Sequence, residues 1–427
     1  MIRTRSSSEI RDASRREVVR ALVVGGTATR TELARTTGLS AATVSNLVTE
    51  LREAGLIADA GTDNAGSGRP TTMLRIDGRG GSFLGIDVAE TYIRAVVFDA
   101  AITEIGAADV DVDEEWQSID RIAEALLSAV AQAIDRGGRP AGELLGAGLG
   151  LPGLVSNDLR GGASTPGWAA HIRELEERVR PHLPAPLVTA NPLQAVGHSE
   201  IWFGAARGRS TAVVVNLGTG VGAGIIVEGR VLRGATRSAG EWGHTVLELD
   251  GRICRCGRQG CVEAYVGVPG IRHTLGEVDP GHPLLQLHQR EFVQGLRDAV
   301  ADPAVAETLA LTARYLGIAL SDIVAVLNPE VLTLTGWTAW ALGDDLLPAV
   351  RAALAERAPE LTAARLDLGV SPVRINSVAT GMAVLSFEYY LDSRALARRT
   401  RPRTDPIPAL PVIAPAASPT APQAVAG

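Results

Sequence analysis

Lysine is absent from the 427-residue sequence, so all 41 basic residues are arginines. We attribute this bias to the base composition of the genome and draw no functional conclusion from it. The sequence also lacks an apolar run of the length that a bilayer span needs, and its first residues lack the apolar segment and cleavage site of a signal peptide. These absences argue against secreted and membrane-spanning classes, so we expect a cytoplasmic protein that contacts no membrane.

Composition and charge are those of an ordinary globular protein. Apolar residues make up 46% and charged residues 21%, and the length allows two or three domains that each bury a core. The formal charge of −7 argues against a protein that coats nucleic acid along its whole length. Positions 1–75 are different, because they contain 11 arginines against 8 acidic residues. The first segment is therefore net positive.

Patterning divides the chain into three segments and a tail. Residues 14–77 hold two short helical patterns and a Gly-rich hairpin, and from residue 82 strand and helix patterns alternate to about residue 390. This alternation predicts an α/β fold with mostly central sheets. After Arg401 the sequence is rich in proline and alanine with little periodicity, which is typical of a flexible tail.

The first segment has the layout of a winged helix-turn-helix, an α+β DNA-binding domain. Thr29 and Glu32 form a capping box that opens one helix, and a tight turn follows at Gly38. Ser40 then caps a second helix whose apolar residues recur at helical spacing. A strand beginning near residue 56, a Gly-rich loop and the returning run MLRI predict the wing.

Small polar side chains on the other face of the second helix would let it lie deep in a major groove and hydrogen-bond to base edges. An arginine near the wing tip and the basic first residues favour contact with phosphate or a narrow minor groove. The alternative is a small helical domain for protein contact, since helix-turn-helix geometry is shared by such domains. The predicted contacts to double-stranded DNA are Ser40, Ala42, Thr43, Ser45, Asn46 and Arg69.

All three cysteines fall in one short stretch, residues 254–261, shortly after a histidine. One imidazole and three thiolates are the ligand set of a tetrahedral structural zinc, and glycines between the last two cysteines permit the required turns. No position is left for a water molecule, which argues against hydrolytic zinc chemistry. The alternative is three free, buried thiols. The predicted zinc ligands are His244, Cys254, Cys256 and Cys261.

The motif GEWGH followed by CxCGxxGCxE resembles the signature of the ROK family, which comprises repressors, open reading frames and sugar kinases. The resemblance runs from about residue 14 to 390. Further matches are LGIDVAETYIRAVVFD, LGLPG at 149–153, LGTGVGAGIIVEGRVLRG at 217–234 and LNPEVLTLTG at 327–336. The resemblance implies an actin-like ATPase fold of two α/β lobes around a cleft, zinc in the second lobe, and a homodimer or homotetramer.

On this resemblance the chain divides into four parts. The last helix of the second lobe is expected to pack back on the first lobe. The expected parts are the winged helix-turn-helix at 1–80, the first lobe at 81–190, the second lobe at 191–395, and the flexible tail at 396–427.

The resemblance also places four residues at sugar-contacting positions. Carboxylates and an amide are natural bidentate partners of sugar hydroxyls, and a histidine can ligate zinc through one ring nitrogen while the other faces a ligand. The alternative for the two glutamates is that they are surface carboxylates or merely support neighbouring groups. The residues at these positions are Asn191, Glu241, His244 and Glu263.

Three departures from the kinase pattern indicate a cleft that does not catalyse. Family kinases place a general base, an aspartate, directly after the asparagine, whereas this chain has Pro192, which cannot accept a proton. The first hairpin has Ala89 and Glu90 where two glycines usually approach phosphate, and Trp337 replaces a later glycine on the nucleotide side. We expect no kinase activity. The residues that remain at nucleotide positions are Asp87, Thr91, Gly218, Thr219 and Gly220.

The sequence therefore predicts a transcriptional regulator of carbohydrate-related genes, most simply a repressor, that binds operator DNA as a symmetric oligomer and a sugar or sugar derivative in its cleft. One alternative is an active sugar kinase that also binds DNA. Another is a regulator that senses no ligand and keeps the fold only for oligomerisation. The GTG turn at 218–220 does not decide between them, because it can persist for strand pairing alone.

Overall fold

The computed structural model describes residues 6–63, 71–112, 118–151, 172–374 and 376–392. Three expectations fall outside these residues, namely the contact through Arg69, the part of LGLPG beyond Leu151, and the tail 396–427.

The helices of the described residues are α1 (Ser7–Gly25), α2 (Arg30–Thr37), α3 (Ala41–Glu53), α4 (Ile119–Gly137), α5 (Ile172–Val179), α6 (Pro192–Phe203), α7 (Glu263–Val266), α8 (Val268–Val278), α9 (Gln289–Asp298), α10 (Pro303–Leu327), α11 (Trp337–Ala355), α12 (Glu360–Arg365) and α13 (Ser377–Tyr390). The strands are β1 (Thr27–Ala28), β2 (Ile57–Asp63), β3 (Thr71–Ile76), β4 (Ser82–Val88), β5 (Tyr92–Asp99), β6 (Glu104–Asp111), β7 (Leu144–Gly150), β8 (Leu187–Ala190), β9 (Ala212–Leu217), β10 (Val221–Val227), β11 (Arg230–Val231), β12 (Val331–Thr335) and β13 (Asp367–Val370).

The first segment folds as a winged helix-turn-helix. Thr29 and Glu32 form the predicted capping box of α2, and Gly38 ends this helix at φ 70° in the left-handed region. Ser40 caps α3 by accepting a hydrogen bond from the amide of Thr43. Strands β2 and β3 pair antiparallel as the wing, and β1 adds to the other edge of β3.

The first segment contains a third helix, α1, whereas the sequence predicted two. Its apolar periodicity is weak because its buried positions include Ser14 and Arg15. The signal that could have found it is the capping box formed by Ser6 and Glu9 at its start.

Two five-stranded sheets follow, and they share one topology. The strand orders are β6-β5-β4-β7-β8 and β11-β10-β9-β12-β13. In each sheet three consecutive strands pair antiparallel, and two later strands add in parallel. The parallel strands end at a common edge, where Asp87, Gly150 and Ala190 lie in register in the first sheet. The α/β prediction with two similar lobes is confirmed, and the loops after these strand ends face the cleft expected for such sheets.

The last helix, α13, belongs to the second half of the chain but lies on the first sheet. A Cβ atom at Gly85 of β4 would lie 1.9 Å from the carbonyl oxygen of Ala379, so glycine is required there. On another side α13 meets α6 just as closely, because a Cβ at Gly381 would lie 1.8 Å from the carbonyl oxygen of Ala195. Helix α6 starts directly after Asn191, so α13 is packed against the helix that leaves the cleft.

The N-terminal domain shares a hydrophobic core with this helix pair. Buried residues of α1 and α3 belong to the same cluster as Trp202 of α6 and Phe387 of α13. Between α1, α3 and the end of α13, Arg15 is only 1% exposed and donates to the carbonyl of Leu391, to Asp12 at 2.9 Å and to Glu50 of α3 at 2.5 Å. Helix α3 is therefore tied to the end of α13 through Arg15, by an ion pair to Glu50 and a hydrogen bond to Leu391.

Helix α10 is long and apolar enough to cross a membrane by length and composition alone, which the sequence analysis did not anticipate. More than half of its most apolar window is buried inside the protein. Its apolar character is explained by packing, since it lies in the core of the second lobe against α8 and α11.

Candidate functional site

Four side chains converge on a point in the loop between β11 and α7. The ligating atoms of His244, Cys254, Cys256 and Cys261 all lie within 4.8 Å of one another. The Sγ atoms of Cys256 and Cys261 are 3.7 Å apart, and Sγ of Cys254 lies 3.8 Å from Nδ1 of His244. A tetrahedral zinc with bonds of about 2.3 Å to sulfur would give ligand separations of about 3.8 Å, which these distances match. The cluster can hold a metal ion.

The loop reaches this shape because glycine occupies its tightest turn. Gly260 has φ +73°, and a Cβ atom there would lie 1.7 Å from the carbonyl oxygen of Glu248. Two isolated bridges, from Val246 to Cys261 and from Ile253 to Gln259, hold the strand-like ends together. Burial raises the pKa of the Cys254 thiol above its ordinary value, so a cation is the natural means of keeping this sulfur as a thiolate.

Asn191 and Glu241 lie beside the cluster and contact each other. Asn191 is 4% exposed, its Oδ1 accepts from the amide of Leu193 at 2.7 Å, and its Nδ2 donates to Glu241 at 3.3 Å. The other oxygen of Glu241 lies 3.9 Å from Nε2 of His244. Burial raises the pKa of Glu241, although His244 and Asn191 oppose this. The structure thus brings three of the four predicted sugar positions together.

Glu263, the fourth position, is only 5% exposed and already has partners for both oxygens. One accepts from the amide of Val221 at 2.9 Å, and the other accepts from Nε of Arg255 at 2.8 Å. In this arrangement Glu263 links Arg255, in the loop that carries the three cysteines, to strand β10.

Arg255 was not singled out from the sequence, yet it joins the two lobes. Its Nη1 lies 2.5 Å from both carboxylate oxygens of Glu90, which stands in the turn between β4 and β5 of the first lobe. Its Nε holds Glu263 of the second lobe. The negative charge of Glu90 is therefore balanced by Arg255 from the other lobe.

Polar groups at the predicted nucleotide positions are occupied within the protein. Asp87 is 3% exposed and accepts hydrogen bonds from Tyr92 at 2.9 Å and from Asn376 at 3.0 Å. Burial raises the pKa of Asp87, which lowers its capacity to hold a cation. The hydroxyl of Thr219 donates to Gln289 at 2.6 Å.

The loop after β9 is covered as well. The indole Nε1 of Trp337 would lie 2.8 Å from a Cβ atom placed on Gly218, and Arg255 would lie 2.7 Å from one on Gly220. Thr91 lies in the turn after β4, and its backbone carbonyl accepts from the amide of Val112. Trp337 and Arg255 thus stand close to the two glycines that were predicted to face a nucleotide.

The predicted DNA-contacting residues of α3 share an exposed face. Ser40, Ala42, Ser45 and Asn46 are exposed and Thr43 is partly exposed, whereas the opposite face is buried. The buried residues are Val44, Leu47, Val48 and Leu51. This face is therefore free to enter a groove.

Comparison with known proteins decides the family. The sequence matches the ROK family over residues 83–388 and a helix-turn-helix domain over residues 11–59. This chain is a member of the ROK family. The predicted family, its α/β fold and the helix-turn-helix domain are confirmed.

ROK relatives of two kinds resemble the chain. It is 25% identical over 363 residues to the xylose repressor of Bacillus subtilis, covering 85% of this chain and 92% of the repressor. It is 29% identical over 289 residues to the glucokinase of Halalkalibacterium halodurans, covering 63% of this chain and 84% of the enzyme. A crystal structure of a ROK family transcriptional regulator, described as a homologue of the Escherichia coli MLC protein, matches with a TM-score of 0.69 at 23% identity, covering 91% of this chain and 98% of that one.

The repressor alignment is longer than the ROK match, so it extends beyond the part shared with the kinase. With its helix-turn-helix domain, this ROK protein is a transcriptional regulator of the kind that the repressor relatives represent.

Proposed function

We propose that this ROK protein represses carbohydrate-related genes and that its cleft binds a sugar or sugar derivative without phosphorylating it. The observation that supports the proposal is that one chain combines a DNA-binding face with a cleft suited to a sugar. An exposed polar face on α3 is suited to base edges, and the cleft keeps Asn191, Glu241 and His244 in contact while Pro192 stands where kinases have a base. The compartment that fits this role is the cytoplasm.

A symmetric oligomer, dimer or tetramer, fits the DNA-binding side. Each winged helix presents one α3, and two copies related by a two-fold axis would read two half-sites of a pseudo-palindromic operator one helical turn apart. This arrangement makes the spacing of the two α3 helices the quantity that a ligand must change.

Replacing Asn46 with alanine should weaken binding to a DNA fragment selected in vitro by this protein. Loss of a bidentate base contact costs about 1–3 kcal/mol, so we expect roughly 10- to 100-fold weaker binding by fluorescence anisotropy, with little change on random DNA. Gln132→Ala, an exposed amide on α4, is the control. Equal losses on selected and random DNA would contradict a role for Asn46 in base recognition.

The sugar would lie against Glu241, whose side chain is 34% exposed, with Asn191 supplying an amide beside it. Glu263 could join only after Arg255 releases it, because both its oxygens are held in this arrangement. A sugar that contacts Glu241 and competes with Arg255 would bind the two lobe arrangements with different affinity, which is the requirement for a switch.

The route from cleft to DNA runs through packed helices. Asn191 caps α6, α6 packs closely on α13, and the end of α13 is held by Arg15 of α1, which also holds Glu50 of α3. A movement of α6 would therefore be transmitted to the reading helix through close contacts instead of through a flexible linker.

A panel of neutral monosaccharides and sugar phosphates tests the sensing role. At least one should change operator affinity in the full-length protein, and Glu241→Gln should abolish that change while leaving affinity without sugar intact. Glu124→Gln, an exposed carboxylate on α4, should respond like the wild type. If no sugar or sugar phosphate changes affinity, the protein is a regulator that senses no ligand and the cleft is only a scaffold.

Kinase activity should be absent. Loss of a general base costs on the order of 10²–10⁴ in rate, and the covered nucleotide side adds a binding penalty, so a coupled assay should show no sugar-dependent ATP turnover. Pro192→Asp alone should not restore it, because Trp337 still covers Gly218. Turnover by the wild type well above background would instead establish a sugar kinase that binds DNA.

Zinc is the metal that we propose for the cluster. His244 through Nδ1 and the three cysteines would hold it, and with no water ligand the ion would supply structural cross-linking and thiolate charge balance, not hydrolysis. The ion would thereby fix the loop that carries Arg255 and Glu263 beside the cleft.

A further inference from the structure

A cavity of about 240 Å³ lies between the lobes, at a place to which the regulatory role assigns nothing. Its walls carry three arginines, Arg94 from β5, Arg290 from α9 and Arg374 from the segment before α13. Two indoles from the first turn of α11, Trp337 and Trp340, complete the wall. The predicted sugar positions do not line it, so it is a separate site.

Two of the three guanidinium groups have weak acidic partners. Arg290 approaches Asp111 at 3.6 Å, and Arg374 approaches Asp344 at 3.7 Å. Both carboxylates are highly exposed, 88% and 74%, and such long surface pairs contribute little. The wall is therefore an electropositive surface with charge left for a ligand.

One acidic group does line the cavity. Asp109 accepts two hydrogen bonds from Arg94, at 2.9 and 3.3 Å, and so neutralises that guanidinium. A second carboxylate, Asp87, lies behind the wall and is covered by Tyr92 and Asn376. Three arginines against Asp109 alone leave the lining positive by two charges.

One of these cations is held in place by an aromatic ring. Arg290 stacks on Tyr92, with the guanidinium carbon 4.5 Å from the ring centroid, which orders this cation at the cavity wall.

We propose that this cavity binds an acidic monosaccharide, a sugar ring that carries a phosphate or carboxylate group. The arginines provide fork-shaped donors for an oxyanion, and the indoles provide flat apolar surface for the ring. The cavity is smaller than the ~300–1,000 Å³ pockets that hold drug-sized ligands, and the indole over Gly218 covers the phosphate loop, so a nucleoside triphosphate does not fit. The sugar part of the ligand rests on the proposed role in carbohydrate regulation, whereas the anionic part rests on the guanidinium groups.

Isothermal titration calorimetry on the full-length protein tests this with four probes, namely glucose 6-phosphate, glucuronate, glucose and AMPPNP with Mg²⁺. We expect one or both acidic sugars to bind, and their relative affinity identifies phosphate or carboxylate as the preferred anion. Arg290→Gln and Arg374→Gln should each weaken that binding at least about 10-fold, since a charge-assisted contact is lost. Both side chains are about half exposed, so the fold should tolerate the changes.

Arg297→Gln, on the exposed face of the same helix as Arg290, is the matched control and should bind like the wild type. Glu241→Gln should also retain acidic-sugar binding, because Glu241 does not line the cavity. The proposal is wrong if neither acid binds, if AMPPNP binds more tightly than both, or if Glu241→Gln loses the acid while the arginine variants keep it. If any of these results is obtained but a neutral sugar still changes operator affinity, the acidic-sugar proposal fails while the proposed regulatory function is retained.

Discussion

Cys256→Ser and His244→Gln should each remove the bound zinc, which we expect at about one ion per chain in the wild type, and should lower the melting temperature by roughly 10 °C. Backbone hydrogen bonds hold individual turns of the loop from Trp242 to Cys261, and the ion would join these turns to one another. Without the ion, three sulfurs and an imidazole that lie within 4.8 Å of one another would have no common partner. Metal content by mass spectrometry and melting followed by circular dichroism provide the two measurements.

His273→Gln is the control for the histidine substitution. His273 is 57% exposed on α8 and pairs with the exposed Glu277, so its loss should change neither metal content nor melting temperature. Full zinc content in Cys256→Ser, or a melting temperature unchanged when zinc is absent, would show that the cluster is not a structural metal site.

Arg15→Ala should release the N-terminal domain from the rest of the protein. Removing the buried guanidinium costs about 3 kcal/mol, because Asp12 and the carbonyl of Leu391 lose this donor, whereas Glu50 keeps Arg11. In hydrogen-exchange mass spectrometry the amides of α1 and α3 should lose at least about 100-fold of their protection. In the same variant a sugar should change operator affinity less than in the wild type, since the connection between α13 and α1 is lost.

Arg11→Ala is the matched control, since both arginines bind Glu50. Arg11 lies 2.6 Å from that carboxylate but is 58% exposed, so its pair is screened by water and contributes within about 1 kcal/mol. Equal effects of the two substitutions would mean that charge at Glu50, and not burial, holds the domain. Loss of α1 protection with an unchanged sugar response would place the route from cleft to DNA elsewhere.

Much of the first segment could be predicted from rules that act between neighbouring residues. The capping residues Thr29 and Ser40 and the turn at Gly38 were predicted because each acts on its immediate neighbours. Helix α1 was missed because its buried face is built around Arg15, whose partners Glu50 and Leu391 are distant in sequence. A buried charge breaks the apolar pattern on which sequence reading depends, and its compensation is visible only in three dimensions.

The candidate site also has parts that the local sequence predicted and parts that depend on residues far apart in the chain. The histidine and the three cysteines lie within 18 residues of one another, and the structure brings them together as their types and spacing predicted. Glu263 was predicted as a sugar contact, but the sequence could not reveal that Arg255 already engages it. Nor could it bring Glu90 to Arg255, since these residues are far apart in the chain and come from different lobes. Likewise the arginines that line the cavity come from β5, α9 and the segment before α13, so no local sequence motif could predict the cavity.

The bridge from Glu90 to Arg255 has a consequence for how the protein would respond to ionic strength. Both side chains are about one-third exposed, at 34% and 36%, so added salt should weaken their attraction and favour separation of the lobes. Salt also weakens DNA binding directly, through release of counterions from the phosphates. The slope of operator affinity against salt should therefore contain two contributions, one from the DNA and one from the cleft. Glu90→Gln would remove only the second, so the difference between the two slopes would measure how strongly lobe closure and DNA binding are linked.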